Sequence, residues 1–291
     1  MALRRIATVA RRRVRSRQSI TEANAFTSAD AGAVSLTAMD DRPPARSSQA
    51  GARVATGSPA RSRSRPRTAA LTALAGAGCF ATVALLLPRA ATARFDEAVL
   101  RALRQSDDPS VPLGGRAVAI AARDVTALGG TAVLVLVVGV AAAWFALDGR
   151  RRDAVAVLVA SIGGLGLDFL LKLSFRRERP DLVPHLVDTY SPSFPSGHSM
   201  LSAVVYLTIG ALLARFARRR ATELLPIAVA IVVTVLVGVS RLILGVHYPT
   251  DVLAGWAAGT AWAGAAWLVV DALARRGTLE GRDDADGETG R

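Results

Sequence analysis

Three short polar clusters interrupt a chain of 291 residues in which the apolar residues gather in long runs. They occupy residues 172–180, 195–198 and 240–251, and they hold the chain's only lysine and two of its three histidines. Ammonium and guanidinium groups bind phosphate oxygens, and an imidazole can act as nucleophile or as acid. Together these residue types indicate phosphoryl-transfer chemistry.

The first cluster, Lys-Leu-Ser-Phe-Arg-Arg-Glu-Arg-Pro, begins at Lys172 in a chain that otherwise uses arginine as its basic residue. Lysine is a flexible point charge suited to a single phosphate oxygen, whereas arginine offers a planar fork. The structural alternative is a lysine that extends its ammonium group to the membrane interface.

The second cluster is Pro195-Ser196-Gly197-His198, directly before a long apolar segment. Proline suits the first turn of a helix, and a glycine lets an anion approach the free backbone N–H groups. This pattern is typical of a phosphate site at a helix amino terminus. An ordinary helix start with an exposed histidine is the alternative.

The third cluster contains Ser240-Arg241, His247 and Asp251. Arg241 lies near the end of an apolar segment, where an unpaired charge is costly. Pro249 is placed to begin the next helix, so that Asp251 in its first turn can hold one nitrogen of His247 and leave the other free as a nucleophile. The alternative is an Arg–Asp pair that caps two helices.

Six segments are long and apolar enough to cross a bilayer as helices of about 20 residues. They are predicted at 69–88, 117–147, 154–173, 199–216, 225–246 and 252–274. We therefore expect an all-α, six-span membrane helix bundle over residues 68–274, with disordered tails at 1–67 and 275–291. Inside the third span, the small residues of Gly163-Gly164-Leu165-Gly166 favour close helix contact over nucleotide binding.

Arginines in the short loops set the predicted orientation, because cytoplasmic loops carry the excess of basic residues. They cluster at 150–152, at 215–220 and at 275–276, which places both termini in the cytoplasm. All three polar clusters then meet at the extracytoplasmic face. The loop 89–116 also holds five arginines, and its Phe95, Val99 and Leu103 predict a short amphipathic helix on the outer leaflet.

The net charge of +13 belongs mostly to the tail, since residues 1–67 carry 14 arginines and four acidic residues. A tail so poor in large apolar side chains forms no core, and we predict no nucleic-acid partner. Cys79 is the only cysteine, which excludes an internal disulfide and a cysteine metal cluster. The heavy use of arginine and alanine is typical of a GC-rich bacterial genome.

The three clusters together resemble the signature of the phosphatidic acid phosphatase type 2 superfamily of membrane lipid phosphate phosphatases. That signature has eleven fixed positions, which this chain fills in order over a resemblance that covers residues 69–274. They are Lys172, Arg179, Pro180, Pro195, Ser196, Gly197, His198, Ser240, Arg241, His247 and Asp251.

The resemblance implies that His247 attacks phosphorus to form a phosphohistidine, with Asp251 orienting it and His198 protonating the leaving oxygen. The phosphate-binding groups that it implies are Lys172, Arg179, Arg241, Ser196 and the backbone N–H of Gly197. Three fixed cations can compensate the negative charge without magnesium, and no carboxylate cluster is typical of a metal site. We therefore expect no metal and no cofactor.

Supporting residues are predicted around this set. Asp168, one helical turn before Lys172, is placed to pair with it. Asp124 in the second span, next to Arg123, is a candidate partner for the site's arginines or for Arg123 itself, and Ser240 is a further supporting candidate. Two more arginines of the first cluster, Arg176 and Arg177, are expected either to contact a second phosphate or lipid headgroups or to be plain interfacial charges.

The expected partners are membrane lipids and a lipid phosphate substrate: an isoprenoid pyrophosphate such as undecaprenyl pyrophosphate, phosphatidic acid or phosphatidylglycerophosphate. Three other activities share parts of this pattern. Vanadium-dependent haloperoxidases carry the same signature, but they resemble soluble proteins. A phosphotransferase would share the pocket chemistry and use another acceptor. A non-catalytic membrane anchor or transporter subunit would have no need of both histidines and Asp251.

Overall fold

The computed structural model describes residues 60–189, 191–217 and 219–275. Residues 60–67 of the predicted disordered tail are helical, and the tails at 1–59 and 276–291 lie outside the described residues. Eight α-helices run through the described part of the chain. They are α1 (Ala60–Leu86), α2 (Ala90–Ala102), α3 (Gly115–Ala127), α4 (Thr131–Leu147), α5 (Arg151–Phe175), α6 (Gly197–Ala214), α7 (Arg220–Ile243) and α8 (Pro249–Arg275).

Five of these helices (α1, α5, α6, α7 and α8) are long and apolar enough to cross a membrane. The helices α3 and α4 give a sixth span if they are counted together, and they meet at a bend of 43°. The all-α membrane bundle is therefore confirmed, with one difference. The second predicted span, 117–147, is broken where the prediction has a continuous helix.

The break in the second span lies at Leu128, Gly129 and Gly130. Glycine weakens a helix, and the carbonyl oxygen of Leu128 accepts a hydrogen bond from the hydroxyl group of Tyr206 on α6 at 2.7 Å. A side chain on Gly129 would collide with Val237 and approach the carbonyl oxygen of His198. The bend thus brings the backbone of Gly129, which has no side chain, close to the beginning of α6.

Small residues also bring α8 against α6. A Cβ atom on Gly255 would lie 2.7 Å from the carbonyl oxygen of Ser196, and one on Gly259 would lie 2.5 Å from that of Met200. Such close backbone approach is typical of membrane helix pairs. It sets the beginning of α6 beside the beginning of α8, where the Ser196 N–H donates to the carbonyl oxygen of Asp251 at 3.0 Å.

The glycine cluster of α5 lies at a helix contact, as predicted, through two of its members. A Cβ atom on Gly163 would collide with the indole of Trp262, and one on Gly164 would lie 3.0 Å from Val204. The indole N–H of Trp262 donates to the carbonyl oxygen of Ala160 at 2.8 Å, which fixes the ring. Gly166, by contrast, faces open space.

The predicted amphipathic helix forms as α2, and the residues that it buries against the bundle are not those of the apolar pattern that predicted it. Phe95 is 50% exposed, whereas the side chains buried against the bundle are those of Asp96 and Leu100. The helix therefore directs a carboxylate into the protein. Its partners there are residues at the beginning of α8 and in the loop after α5.

Candidate active site

The three polar clusters converge at one end of the helix bundle. Helices α5 and α7 end there and α6 and α8 begin there, as the chain direction of the predicted spans requires. His198, the second residue of α6, interacts electrostatically with the four other basic groups of the predicted set. They are Arg241, His247, Lys172 and Arg179.

His247 is buried in the loop between α7 and α8, and its Nδ1 atom faces a carboxylate and a hydroxyl group of the protein. Its Nδ1 lies 3.6 Å from Oδ2 of Asp251 and 3.3 Å from the hydroxyl oxygen of Ser193. The Ser193 hydroxyl donates to the same Asp251 oxygen at 2.5 Å, and the Tyr248 N–H donates to it at 2.9 Å. This arrangement favours a proton on Nδ1 and a lone pair on Nε2, the nitrogen that faces Arg179.

Arg179 occupies the other side of the imidazole. Its NH1 lies 3.2 Å from Nε2 of His247, and it also donates to the carbonyl oxygen of Val246 at 2.7 Å. Its Nε donates to the carbonyl oxygen of Ser191 at 2.8 Å. Burial lowers the pKa of Arg179, and the carboxylate of Asp251 partly offsets this effect. A cation is thus held next to Nε2 of His247.

Lys172 lies against the amino terminus of α6. Its ammonium group donates to Oδ2 of Asp168 at 2.9 Å, one turn earlier on α5, which is the pairing that the spacing predicts. A Cβ atom on Gly197 would lie 2.5 Å from this ammonium group and 3.2 Å from both Asp168 oxygens. Gly197 therefore leaves the room in which the cation meets the helix amino terminus.

Gly197→Ala should lower turnover about tenfold to a hundredfold, because the added methyl group must displace the Lys172 ammonium, and small displacements of this kind carry such costs. The bundle should still form, since a lysine tip can move. Gly166→Ala is the matched control, as a Cβ atom there meets nothing within 4 Å. Initial rates for both variants in detergent check this expectation, and equal rates would contradict it.

Arg241 is buried on α7, with 4% of its surface exposed. Its NH1 donates to the hydroxyl oxygen of Thr126 on α3 at 2.9 Å, and its Nε has no partner among the described residues. A buried guanidinium of this kind is costly, which fits a group held ready for an anion. Thr126 is a supporting residue that the sequence analysis missed, because nothing in its local pattern marks it.

Two hydroxyl groups of the predicted set are engaged within the protein. The Ser240 hydroxyl donates to the carbonyl oxygen of Val237 at 2.6 Å, on its own helix. Ser196 is fully buried, and its hydroxyl oxygen accepts a hydrogen bond from Ser199 at 3.0 Å. Ser196 keeps its own hydroxyl hydrogen for another acceptor, whereas Ser240 supports α7.

Asp124 does not have the supporting position that its sequence neighbourhood predicts. Its side chain is exposed on α3 and forms no hydrogen bond or ion pair among the described residues. Arg123 does not pair with it either, since its guanidinium donates to the carbonyl oxygen of Leu186 at 2.9 and 3.2 Å. One residue separates Asp124 from the buried Thr126, and the helix therefore turns its carboxylate away from Arg241.

Arg177 turns into the protein and pairs with two carboxylates, so it is not a plain interfacial charge. Its NH1 donates to Oδ1 of Asp251 at 2.6 Å, and its NH2 donates to Asp96 at 2.8 Å. Arg176, by contrast, is exposed at the end of α5. The sequence analysis could not separate these adjacent arginines, because the helix ends at Phe175, just before both, and only the direction of the following loop decides which one turns inward.

Comparison with known proteins finds relatives of the segment that carries the three polar clusters. Residues 153–275 match the PAP2 superfamily. Phosphatidylglycerophosphatase B of Bacillus subtilis is 36% identical over 138 residues, which cover 46% of this chain and 66% of that protein. Decaprenylphosphoryl-5-phosphoribose phosphatase of Mycobacterium tuberculosis is 35% identical over 117 residues, which cover 39% of this chain and 59% of that protein.

A solved structure extends the likeness beyond these segments. The crystal structure of a transmembrane PAP2-type phosphatidylglycerolphosphate phosphatase from Bacillus subtilis aligns with a TM-score of 0.58 at 28% identity. The alignment covers 73% of this chain and 96% of that one. With its long apolar helices, this chain is a multi-pass membrane protein. It carries a PAP2 superfamily domain.

Proposed function

We propose that the protein hydrolyses a lipid phosphate or pyrophosphate monoester through a phosphohistidine on His247. One observation carries the proposal: Nδ1 of His247 is held by the Asp251–Ser193 pair, while Nε2 faces the guanidinium of Arg179. An oriented nucleophile next to a fixed cation is what attack on a phosphate dianion needs.

The reaction has two displacements. In the first, Nε2 of His247 forms a bond to the terminal phosphorus, and the bond from phosphorus to the leaving oxygen breaks. That oxygen is the lipid oxygen of a monoester or the bridging oxygen of a pyrophosphate, and His198 protonates it as it leaves. In the second, a water molecule attacks phosphorus, His198 accepts its proton, and the P–N bond breaks to restore the imidazole. Asp251 stabilises the imidazolium, and Lys172, Arg179 and Arg241 compensate charge on the phosphate oxygens.

A lipid substrate is supported by the relatives and by the position of the site. The names of both curated relatives give phosphorylated lipids as what they act on. The site lies at the ends of apolar helices, and α5 carries exposed apolar side chains such as Phe169 and Leu170 near that end. The candidate substrates remain an isoprenoid pyrophosphate, phosphatidic acid and phosphatidylglycerophosphate.

We propose that this end of the bundle is extracytoplasmic and that both termini are cytoplasmic. The loops at the other end are rich in arginine, and some of these arginines join neighbouring helices there. Arg215 donates to Asp153 at 3.1 Å, between the end of α6 and the beginning of α5. Cytoplasmic loops are expected to carry such residues.

Phosphate release from the three candidate lipids, measured with purified protein in detergent, tests the proposed function. We expect one of them to be turned over in EDTA, with a rate unchanged by added magnesium. The physical reason is that the carboxylates near the site already face cations, Asp168 with Lys172 and Asp251 with Arg177. Loss of activity in EDTA that magnesium restores would overturn the metal-free mechanism.

The pKa of His247 should lie near 4, because burial and the nearby Arg179 and Arg241 disfavour the imidazolium more than Asp251 favours it. The ring is then neutral, and nucleophilic, at every pH above about 4. NMR titration of histidine-labelled protein measures this value, and the resonance lost in His247→Gln identifies the group. A midpoint near the ordinary histidine value of about 6.5 would contradict the expectation.

A further inference from the structure

Asp96 is a fully buried carboxylate on α2, outside the segment 153–275 that matches the PAP2 superfamily. Its Oδ1 accepts the backbone N–H of Thr250 at 3.0 Å. Its Oδ2 accepts the Thr250 hydroxyl at 2.6 Å and NH2 of Arg177 at 2.8 Å. All of its hydrogen bonds thus go to residues next to the catalytic carboxylate.

Arg177 links this carboxylate to Asp251. While NH2 contacts Asp96, NH1 donates to Oδ1 of Asp251 at 2.6 Å and to the Thr250 hydroxyl oxygen at 2.8 Å. Its guanidinium also lies over the ring of Tyr248, 4.2 Å from the ring centre. Burial lowers the pKa of Arg177, but the two carboxylates together raise it by more than burial lowers it. The pKa is therefore above its ordinary value, and the group stays charged.

The two oxygens of Asp251 therefore have separate tasks. Arg177 holds Oδ1, and this fixes the carboxylate plane so that Oδ2 meets the Ser193 hydroxyl and faces Nδ1 of His247. A guanidinium that contacted Asp251 alone could rotate about that contact. With Asp96 bound to its second nitrogen, the fork has one orientation.

Burying two carboxylates on one arginine is an expensive way to attach a short helix. Replacing such buried ionic groups by apolar residues often costs no stability, and α2 already packs through the buried Leu100. The position of the network next to His247 is therefore better explained by orientation of the catalytic groups than by stability alone.

We propose that Asp96 is a positioning residue that acts through Arg177 and Thr250 to set the orientation of Asp251, and through it that of His247. The inference rests on the proposed function. It adds to the site a residue from helix α2, far in sequence from the three polar clusters.

Asp96→Asn is the primary test, since the amide keeps the shape and removes the charge. We expect kcat to fall about tenfold to a hundredfold through the lost alignment. KM and inhibition by inorganic phosphate should stay within about twofold, because Lys172 and Arg241 do not contact Asp96. The matched control is Glu97→Gln, the same change at the next residue, whose partner Arg101 is an exposed neighbour at 3.9 Å.

A second pair of variants separates positioning from a merely structural role. Arg177→Lys keeps one charge but loses the fork, and it should lower kcat by a similar factor. If Asp96 and Arg177 act as one network, the loss of kcat in the double variant is much smaller than the product of the two single losses. If Asp96→Asn does not fold, the ratio of kcat to KM effects in Arg177→Lys decides, since a loss confined to KM overturns the proposal.

Two kinds of failure are distinguishable. If the wild-type protein releases no phosphate from any of the three candidate lipids, the proposed function fails and this inference fails with it. If the wild type turns over and Asp96→Asn matches Glu97→Gln, only the positioning role is overturned. Full multiplication of the Asp96→Asn and Arg177→Lys losses in the double variant also overturns it.

Discussion

Replacing His247 by alanine is expected to lower phosphate release at least about 10⁴-fold, the scale seen when a covalent nucleophile is removed. The structure gives the physical reason. Nε2 of His247 is the ring nitrogen left free by the contacts of Nδ1, and Arg179 lies 3.2 Å from it. Removing the ring leaves the cations to bind phosphate with no group placed to attack it. Phosphate release in detergent, with membrane insertion as the folding check, measures the effect.

His185→Ala is the matched control for this variant. His185 is an exposed histidine in the loop between α5 and α6, with Nε2 at 2.6 Å from the carbonyl oxygen of Pro180. Its turnover should stay within about threefold of wild type. Wild-type protein quenched during turnover should also carry an acid-labile phosphoryl label that His247→Ala lacks. Retained turnover by His247→Ala would exclude His247 as the nucleophile.

The membrane bundle could be predicted because hydropathy and loop charge depend only on local sequence. The five long helices coincide with predicted spans to within a few residues at most of their ends, and α1 and α7 begin earlier than predicted. The break at Leu128–Gly130 could not be predicted in this way. It depends on Tyr206, 78 positions along the chain, whose hydroxyl satisfies the carbonyl that the break frees.

The residues of the candidate site also differ in whether local sequence or a distant contact determines their role. Residues such as Lys172, His198 and His247 stand out because their types are rare in this chain and their spacing is distinctive. Ser193, Thr126 and Asp96 carry no such signal, since serine, threonine and aspartate are ordinary in loops and at helix ends. Their roles come from contacts across the bundle, which only the folded chain displays.

Asp96 shows why an amphipathic pattern was incomplete evidence. The spacing of Phe95, Val99 and Leu103 correctly predicts α2, but it identifies only the apolar face of the helix and gives no sign that Asp96 is buried. Burial of an acid is unfavourable unless a cation and hydrogen-bond donors meet it, and those partners lie 81 and 154 positions away.

Asp251→Asn is expected to lower kcat about 10³- to 10⁴-fold, as loss of the orienting carboxylate does in other catalytic triads. The contacts show why an amide cannot replace it. Oδ1 receives NH1 of Arg177, and Oδ2 receives both the Ser193 hydroxyl and the Tyr248 N–H. Either orientation of an asparagine turns an NH₂ group toward a donor. The uncharged side chain also stabilises the His247 imidazolium less.

The same variant separates orientation from phosphate binding. Lys172 and Arg241 have other partners, Asp168 and Thr126, so inhibition by inorganic phosphate should change less than about threefold. Asp188→Asn, at an exposed aspartate of the loop after α5, is the matched control and should turn over at the wild-type rate. If Asp251→Asn kept kcat and lost phosphate affinity instead, Asp251 would serve to hold Arg177 or Arg179 for the substrate, and His247 would need another orienting group.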